Sequence, residues 1–176
     1  LALASWQRAH PTGKSFCFFF QKEALSSFAN SRITMKILRH RIELATIEPI
    51  QIIDITDHLR AWLATTGVDE GLLTVASLHT TARINVNERE PELQRDMVTY
   101  LKRIAPLDGD WRHNIAPIDG RLNAHSHMLG MFMNSSESIQ VSGGALVLGE
   151  WQSVFFFELD GPRERRGVEL QIIGAG

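Results

Sequence analysis

The 176-residue chain has one cysteine, Cys17, so it can form no internal disulfide and no thiol cluster for a metal. Any metal must be held by histidines or carboxylates, and the composition fits a reducing, cytoplasmic compartment. No apolar run approaches the roughly 20 residues that span a bilayer. The densest, at positions 16–20, stops at Gln21-Lys22-Glu23, so no membrane crossing is expected. A charge excess of either sign is also missing. Lys plus Arg is 18 against 20 for Asp plus Glu, a net charge of -2, which removes the electrostatic reason to expect nucleic acid or an anionic membrane as partner. Phosphate-loop and dinucleotide fingerprints are absent as well. Gly143-Gly144 and Gly149 lack the strand, spacing and helix entry those motifs need, so no nucleotide or flavin cofactor is expected.

Hydrophobic residues at 44% and charged residues at 22% place the chain among folded globular proteins, and its length suits one domain. Residues 1–34 contain a single acid, Glu23, and show neither helical nor strand periodicity. They are expected to be an N-terminal extension, either a cloning remnant or upstream sequence rather than a targeting segment, with the domain proper at 35–176. From Met35, Ile37, Arg39, Arg41 and Glu43 alternate against Leu38, His40, Ile42 and Leu44, as in a strand. Thr56-Asp57 is placed to cap a helix carrying Leu59, Trp62 and Leu63, which Gly67 ends. Pro91 opens a second helix, with Leu93, Met97, Leu101 and Ile104 spaced to face inward.

Strands are expected at 71–78, 84–87, 138–141, 145–148, 151–159 and 168–173, with a long loop at 107–120 and a charged hairpin turn at 160–166. Loops of that length are uncommon unless they serve a function. The irregular order of strands and helices does not give the alternation of a doubly wound fold. It predicts a single α+β domain with mixed, largely antiparallel sheets and a few helices. Val154-Phe155-Phe156-Phe157 is apolar on both faces, as in a central strand covered on both sides by helices or another subunit.

The chemical signal is histidine. His79 follows a strand, His113 sits in the long loop, and His125 and His127 lie in Asn123-Ala124-His125-Ser126-His127. Three imidazoles with an open position can hold a divalent metal. If Asn123 caps a helix, residues 125 and 127 point about 200° apart and only one of them can face a shared site, whereas on a strand both could. Asn87 and Glu88 at a strand end offer an amide and a carboxylate, Trp151 and Gln152 a stacking face and an orienting amide, and Arg163 an anion contact.

Together, His79-Thr80-Thr81-Ala82, Ile84-Asn85-Val86-Asn87-Glu88, the 123–127 segment, Leu148-Gly149-Glu150-Trp151-Gln152 and Glu158-Leu159-Asp160-Gly161-Pro162-Arg163 resemble the ordered signature of the YjbQ family, described as secondary thiamine-phosphate synthases. The resemblance covers essentially 35–173 and implies a compact α+β homotrimer with sites near subunit boundaries. It marks His79, His113 and His127 as metal ligands, leaves His125 at a variable position, and marks Asn87, Glu88, Trp151, Gln152 and Arg163 as pocket residues. Arg83, Glu150, Ser126 and Leu129 depart from its usual pattern.

The activity so implied transfers a hydroxymethylpyrimidine group from its diphosphate to a thiazole phosphate, releasing pyrophosphate. His79 and Glu88 would be the catalytic pair. Trp151 would stack the ring, and a divalent ion, zinc or magnesium or manganese, would meet the leaving charge. Two further readings keep the small, possibly phosphorylated substrate: a metal-dependent hydrolase, and a trimeric ligand-binding protein without turnover.

Overall fold

The computed structural model describes residues 34–176, so the expected extension at 1–34 lies, but for Thr34, outside the described residues. β1 (Met35–Thr46) and β2 (Gln51–Asp54) lead into helix α1 (Thr56–Thr66). β3 (Glu70–Ser77) and β4 (Ala82–Glu88) precede α2 (Pro91–Ile104). A loop with one 3₁₀ turn (Arg112–Asn114) reaches the short helix α3 (Ala124–Gly130). Then follow β5 (Ser136–Ser142), β6 (Ala145–Leu146), β7 (Gln152–Glu158) and β8 (Arg163–Ala175).

The strands form two sheets, β1-β8-β3-β5-β6 and β2-β7-β4, and every pairing is antiparallel. The α+β expectation therefore stands. β7 is the central strand of the smaller sheet, and its alternation divides two cores. Val154 and Phe156 join Ile84, Leu73 and α1's Leu59 between the sheets, while Phe155 and Phe157 pack with Leu101 of α2 and Leu129 of α3. The all-apolar run is thus covered by a sheet on one face and helices on the other.

Local chemistry explains the helix ends. The carboxylate of Glu90 accepts the amides of Glu92 and Leu93 at 2.9 and 2.6 Å, and Pro91 occupies the first turn, where its missing N–H costs nothing. Gly67, at φ +60°, closes α1 in the left-handed conformation that favours glycine. At the start of α1 the structure corrects the expected Thr56-Asp57 cap. Asp54 accepts the Thr56 amide at 2.9 Å, and the Thr56 hydroxyl turns inward to accept the Val154 amide at 2.9 Å. In α2, Ile104 is 44% exposed rather than inward, because Val98 and Ala105 share the buried stripe with Leu101.

The charged segment after β7 is not a hairpin. β7 pairs with β2 and β4, whereas β8 pairs with β1 and β3, so residues 159–162 carry the chain from one sheet to the other. That crossover takes Glu158, Asp160 and Arg166 into the interior instead of to a solvated tip.

Candidate functional site

β3 ends at Ser77 and releases Leu78-His79-Thr80 before β4 begins. The register Ala82 opposite Glu158 and Ser77 opposite Val168 brings this turn against the crossover from β7 to β8. The anchor is a buried ion pair. Arg166 donates to both oxygens of Glu158 at 2.6 and 2.5 Å, with Glu158 fully buried and Arg166 nearly so. The spare lone pairs of Glu158 take the Thr46 hydroxyl (3.1 Å) and the Asp160 amide (2.8 Å), and Arg166 also reaches Thr81 at 3.1 Å. A buried pair is tolerable when its remaining hydrogen-bonding capacity is met, as here.

Asp160 is the second hub. Arg121 donates to its carboxylate at 2.9 and 3.2 Å, Asn123 at 3.0 Å, and Arg163 closes on the same oxygen as Asn123. Burial pushes this carboxyl up, but the hydrogen bonds from Arg121 and Asn123 and the charges of Arg163 and Arg121 outweigh it and hold Asp160 below the usual carboxylate range.

These bonds fix two histidine tautomers. The Gly167 amide donates to His79 Nε2 at 2.9 Å, so Nε2 carries a lone pair and the ring proton sits on Nδ1. Burial, with help from Arg166 and Arg163 and against Glu158, pulls the His79 pKa down, which keeps the ring neutral. Asn123 uses its NH₂ on Asp160, so its carbonyl accepts from His113 Nε2 at 3.1 Å, leaving His113 Nδ1 as the free nitrogen. His127 meets the His113 ring edge-on, centroids 5.2 Å apart. His125 points the other way: it is 3% exposed, with Nε2 against the Leu159 carbonyl at 3.1 Å. Burial pulls its pKa down.

A cavity of about 310 Å³ opens over this assembly, lined by His79, Thr80, Thr81, Asn123, His127 and Arg163 among others, with Asp119 and Leu78 also on its wall. Three of the expected site residues, His79, His127 and Arg163, therefore share one cavity, and His113 adjoins it through Asn123 and His127. The other four lie elsewhere. Glu88 pairs with Gln152 and Asn87 with Ser153 at the far end of the β4–β7 ladder, six residues from the Ala82–Glu158 end, which is about 20 Å along a strand. There Asn87 borders a separate, largely apolar groove of about 480 Å³ with Met97, Leu101 and Phe132. Gln152 accepts the Gly149 amide at 2.7 Å, and Trp151 is 67% exposed. Sequence reasoning missed Glu158, Asp160, Arg166 and Asn123. The available signal was two carboxylates directly following an all-apolar strand, which only burial could explain.

The expected three-histidine metal centre is corrected by this arrangement. The lone pair of the neutral His79 ring is spent on the Gly167 amide, and a metal needs that lone pair. Among the described residues, no group of three or more His, Cys, Asp or Glu side chains is placed to hold a metal ion.

Comparison with known proteins places this geometry. The sequence model of the family described as UPF0047 protein YjbQ-like matches residues 40–175. A UPF0047 protein of Methanothermobacter thermautotrophicus is 37% identical over 142 residues, covering 81% of this chain and 96% of that protein. UPF0047 protein YugU of Bacillus subtilis is 33% identical, covering 70% and 91%. Among solved structures, a YbjQ-like protein of unknown function from Sulfolobus solfataricus superposes with a TM-score of 0.76 at 33% identity, covering 80% of this chain and 99% of that one. A hypothetical protein from Aeropyrum pernix gives 0.73 at 38%, covering 78% and 98%. These proteins carry the family designation or no functional name, and none is named a thiamine-phosphate synthase. With the missing metal cluster, this overturns the expected synthase function and the metal-dependent reading attached to it.

Proposed function

The chain belongs to the UPF0047 YjbQ-like family, and from that premise we propose that the cavity beside His79 receives the phosphate group of a small phosphorylated molecule. The observation that carries this reading is the charge and donor arrangement of the wall. Arg121, Arg163 and Arg166 balance the carboxylates of Glu158, Asp160 and Asp119, so what the wall offers an anion is not a net charge but the two guanidinium groups of Arg163 and Arg166 beside the cavity. Donors are supplied by the Nδ1–H of neutral His79 and the hydroxyl of Thr80. Arg163 is already oriented by Asp160, so its fork loses little freedom on meeting a phosphate. Asp119 on the wall disfavours a second negative group beside it, so the reading favours a monoester over a diphosphate.

His127 lines the same cavity as His79, with His113 edge-on to its ring and Asn123 bonded to His113. Proton transfer by His127 is the chemistry this reading assigns to the site. Calorimetric titration with inorganic phosphate tests it: saturable binding in the intact protein, lost in Arg163→Ala, is expected. Equal heats in both proteins would overturn it.

An assembly of identical copies, the homotrimer implied by the family resemblance, belongs to the same proposal, with cytoplasmic residence. It is supported by large apolar side chains left bare on the loop and just beyond α3: Ile115 (80% exposed), Ile118 (105%), Met131 (73%) and Phe132 (80%). Light scattering that returns the mass of one chain would remove this part. No helix among the described residues is long and apolar enough to cross a membrane.

A further inference from the structure

Arg83 lies on β4 one residue beyond Ala82 and contributes nothing to the cavity wall, yet its guanidinium is bound on two sides. Nε donates to the Gly130 carbonyl at 3.0 Å, at the last residue of α3. Nη1 donates to the His79 carbonyl at 3.0 Å and to the Ala82 carbonyl at 2.9 Å. One planar fork thus spans the turn that carries His79 and the helix that carries His127. No other hydrogen bond between side chain and backbone links these two pieces among the described residues.

The space the fork occupies exists because residue 130 is glycine. A Cβ built there would stand 2.8 Å from the Arg83 Cζ and closer still to Nη2. The guanidinium could retreat from such a Cβ only by giving up the three carbonyls it holds. Gly130 is at ordinary helical φ, so left-handed backbone does not account for the glycine; the room it leaves for Arg83 does. The fork is a charge-assisted donor to the carbonyl end of a helix turn, where a cation is favoured, and its planarity sets the angle as well as the distance between the segments it joins.

We infer that Arg83 is a positioning residue, which clamps the His79 turn to the end of α3 and so sets the width of the cavity between His79 and His127. This inference rests on the phosphate-site reading for its functional consequence, but the clamp itself is a separate physical claim. A lysine cannot reproduce it, because a single ammonium lacks the two-sided planar fork.

The test uses the full chain in five forms: unaltered, Arg83→Gly, Arg83→Lys, Gly130→Ala, and Arg83→Gly with Gly130→Ala. Each is titrated with inorganic phosphate and melted thermally. Gly130→Ala alone is expected to lower both the melting temperature and phosphate affinity. Adding Arg83→Gly to it should bring the melting temperature to that of Arg83→Gly alone, since the Cβ then has room, while affinity stays about tenfold or more below that of the unaltered protein. Arg83→Lys should lose affinity as Arg83→Gly does. A purely structural residue would let stability and affinity return together, and a residue acting only through its charge would be replaced by lysine; either result overturns the clamp. If the unaltered protein binds no phosphate, the site reading fails on its own. The clamp is then decided by the ring resonances of His79 and His127, which should both move in Arg83→Gly and overturn the inference if neither does.

Discussion

The two ends of the β4–β7 ladder both carry polar residues and differ in how those residues are held. At one end, Ala82 faces Glu158, and the adjoining turns bring in His79, Asp160, Arg163 and Arg166, which are tied to one another by short hydrogen bonds. At the other, Glu88 faces Gln152, Trp151 is exposed, and Asn87 borders the apolar groove along the sheet. Both ends carry polar residues at strand termini, but only the first has charges taken out of water and paired with charges of opposite sign. A polar residue near a strand end signals chemistry when the chain has spent folding free energy to bury it, and signals only a turn when it has not.

The sharpest way to break this contrast is to remove one member of the buried pair. Glu158→Ala leaves Arg166 without its counter-charge and is expected to cost about 3–5 kcal/mol in urea unfolding. Glu88→Ala at the opposite end should stay within about 0.5 kcal/mol, as for an exposed residue. Comparable losses would erase the distinction. Next in size is Asn123→Ala, which strips a donor from Asp160 and an acceptor from His113. It should cost about 1–3 kcal/mol and weaken phosphate binding as well.

Acid titration sharpens the comparison further. Asp160 has a folded pKa held below that of the unfolded chain, so the unfolded state binds more protons as pH falls. Its contribution is therefore complete above the unfolded carboxylate pKa and is lost as pH drops through the lower folded value. An Asp160→Asn variant should lose this part of the acid slope, measured by chemical denaturation across the acid range, and an unchanged slope would contradict the assignment. The smallest effect is expected at Trp151. Trp151→Ala should change stability by about 0.5 kcal/mol or less and leave phosphate titration unaltered, whereas a lost titration would join the two ends into one site.

Much of the fold was legible because hydrophobic periodicity reports burial directly. The alternation from Met35, the strands near 71–78 and 84–87, and the doubly apolar Val154-Phe155-Phe156-Phe157 all became strands where expected, and Pro91 opened its helix. The antisymmetry of His125 and His127 followed from helical spacing, with one ring buried and the other on the cavity. The site was legible in part. His79, His127 and Arg163 do meet, but Asn87, Glu88, Trp151 and Gln152 lie at the far end of the ladder, since linear proximity to a motif does not fix which end of a strand it occupies. The 160–166 segment was misread as a solvated hairpin because its charges are indistinguishable in sequence from surface charges; the partners of Asp160 and Arg166, Arg121 and Thr81, come from distant parts of the chain. The metal centre failed for a reason no spacing reveals: the lone pair of His79 is taken by the amide of Gly167, 88 residues away.

The central claim is that His79 is a neutral donor aimed at a phosphate. Nitrogen NMR of the histidine rings during a titration with inorganic phosphate measures it most directly. The account predicts that at neutral pH His79 carries its proton on Nδ1, with Nε2 as acceptor, and that the Nδ1 resonance moves as phosphate is added and saturates. A His79 ring protonated on Nε2, or an Nδ1 resonance indifferent to phosphate, would contradict it.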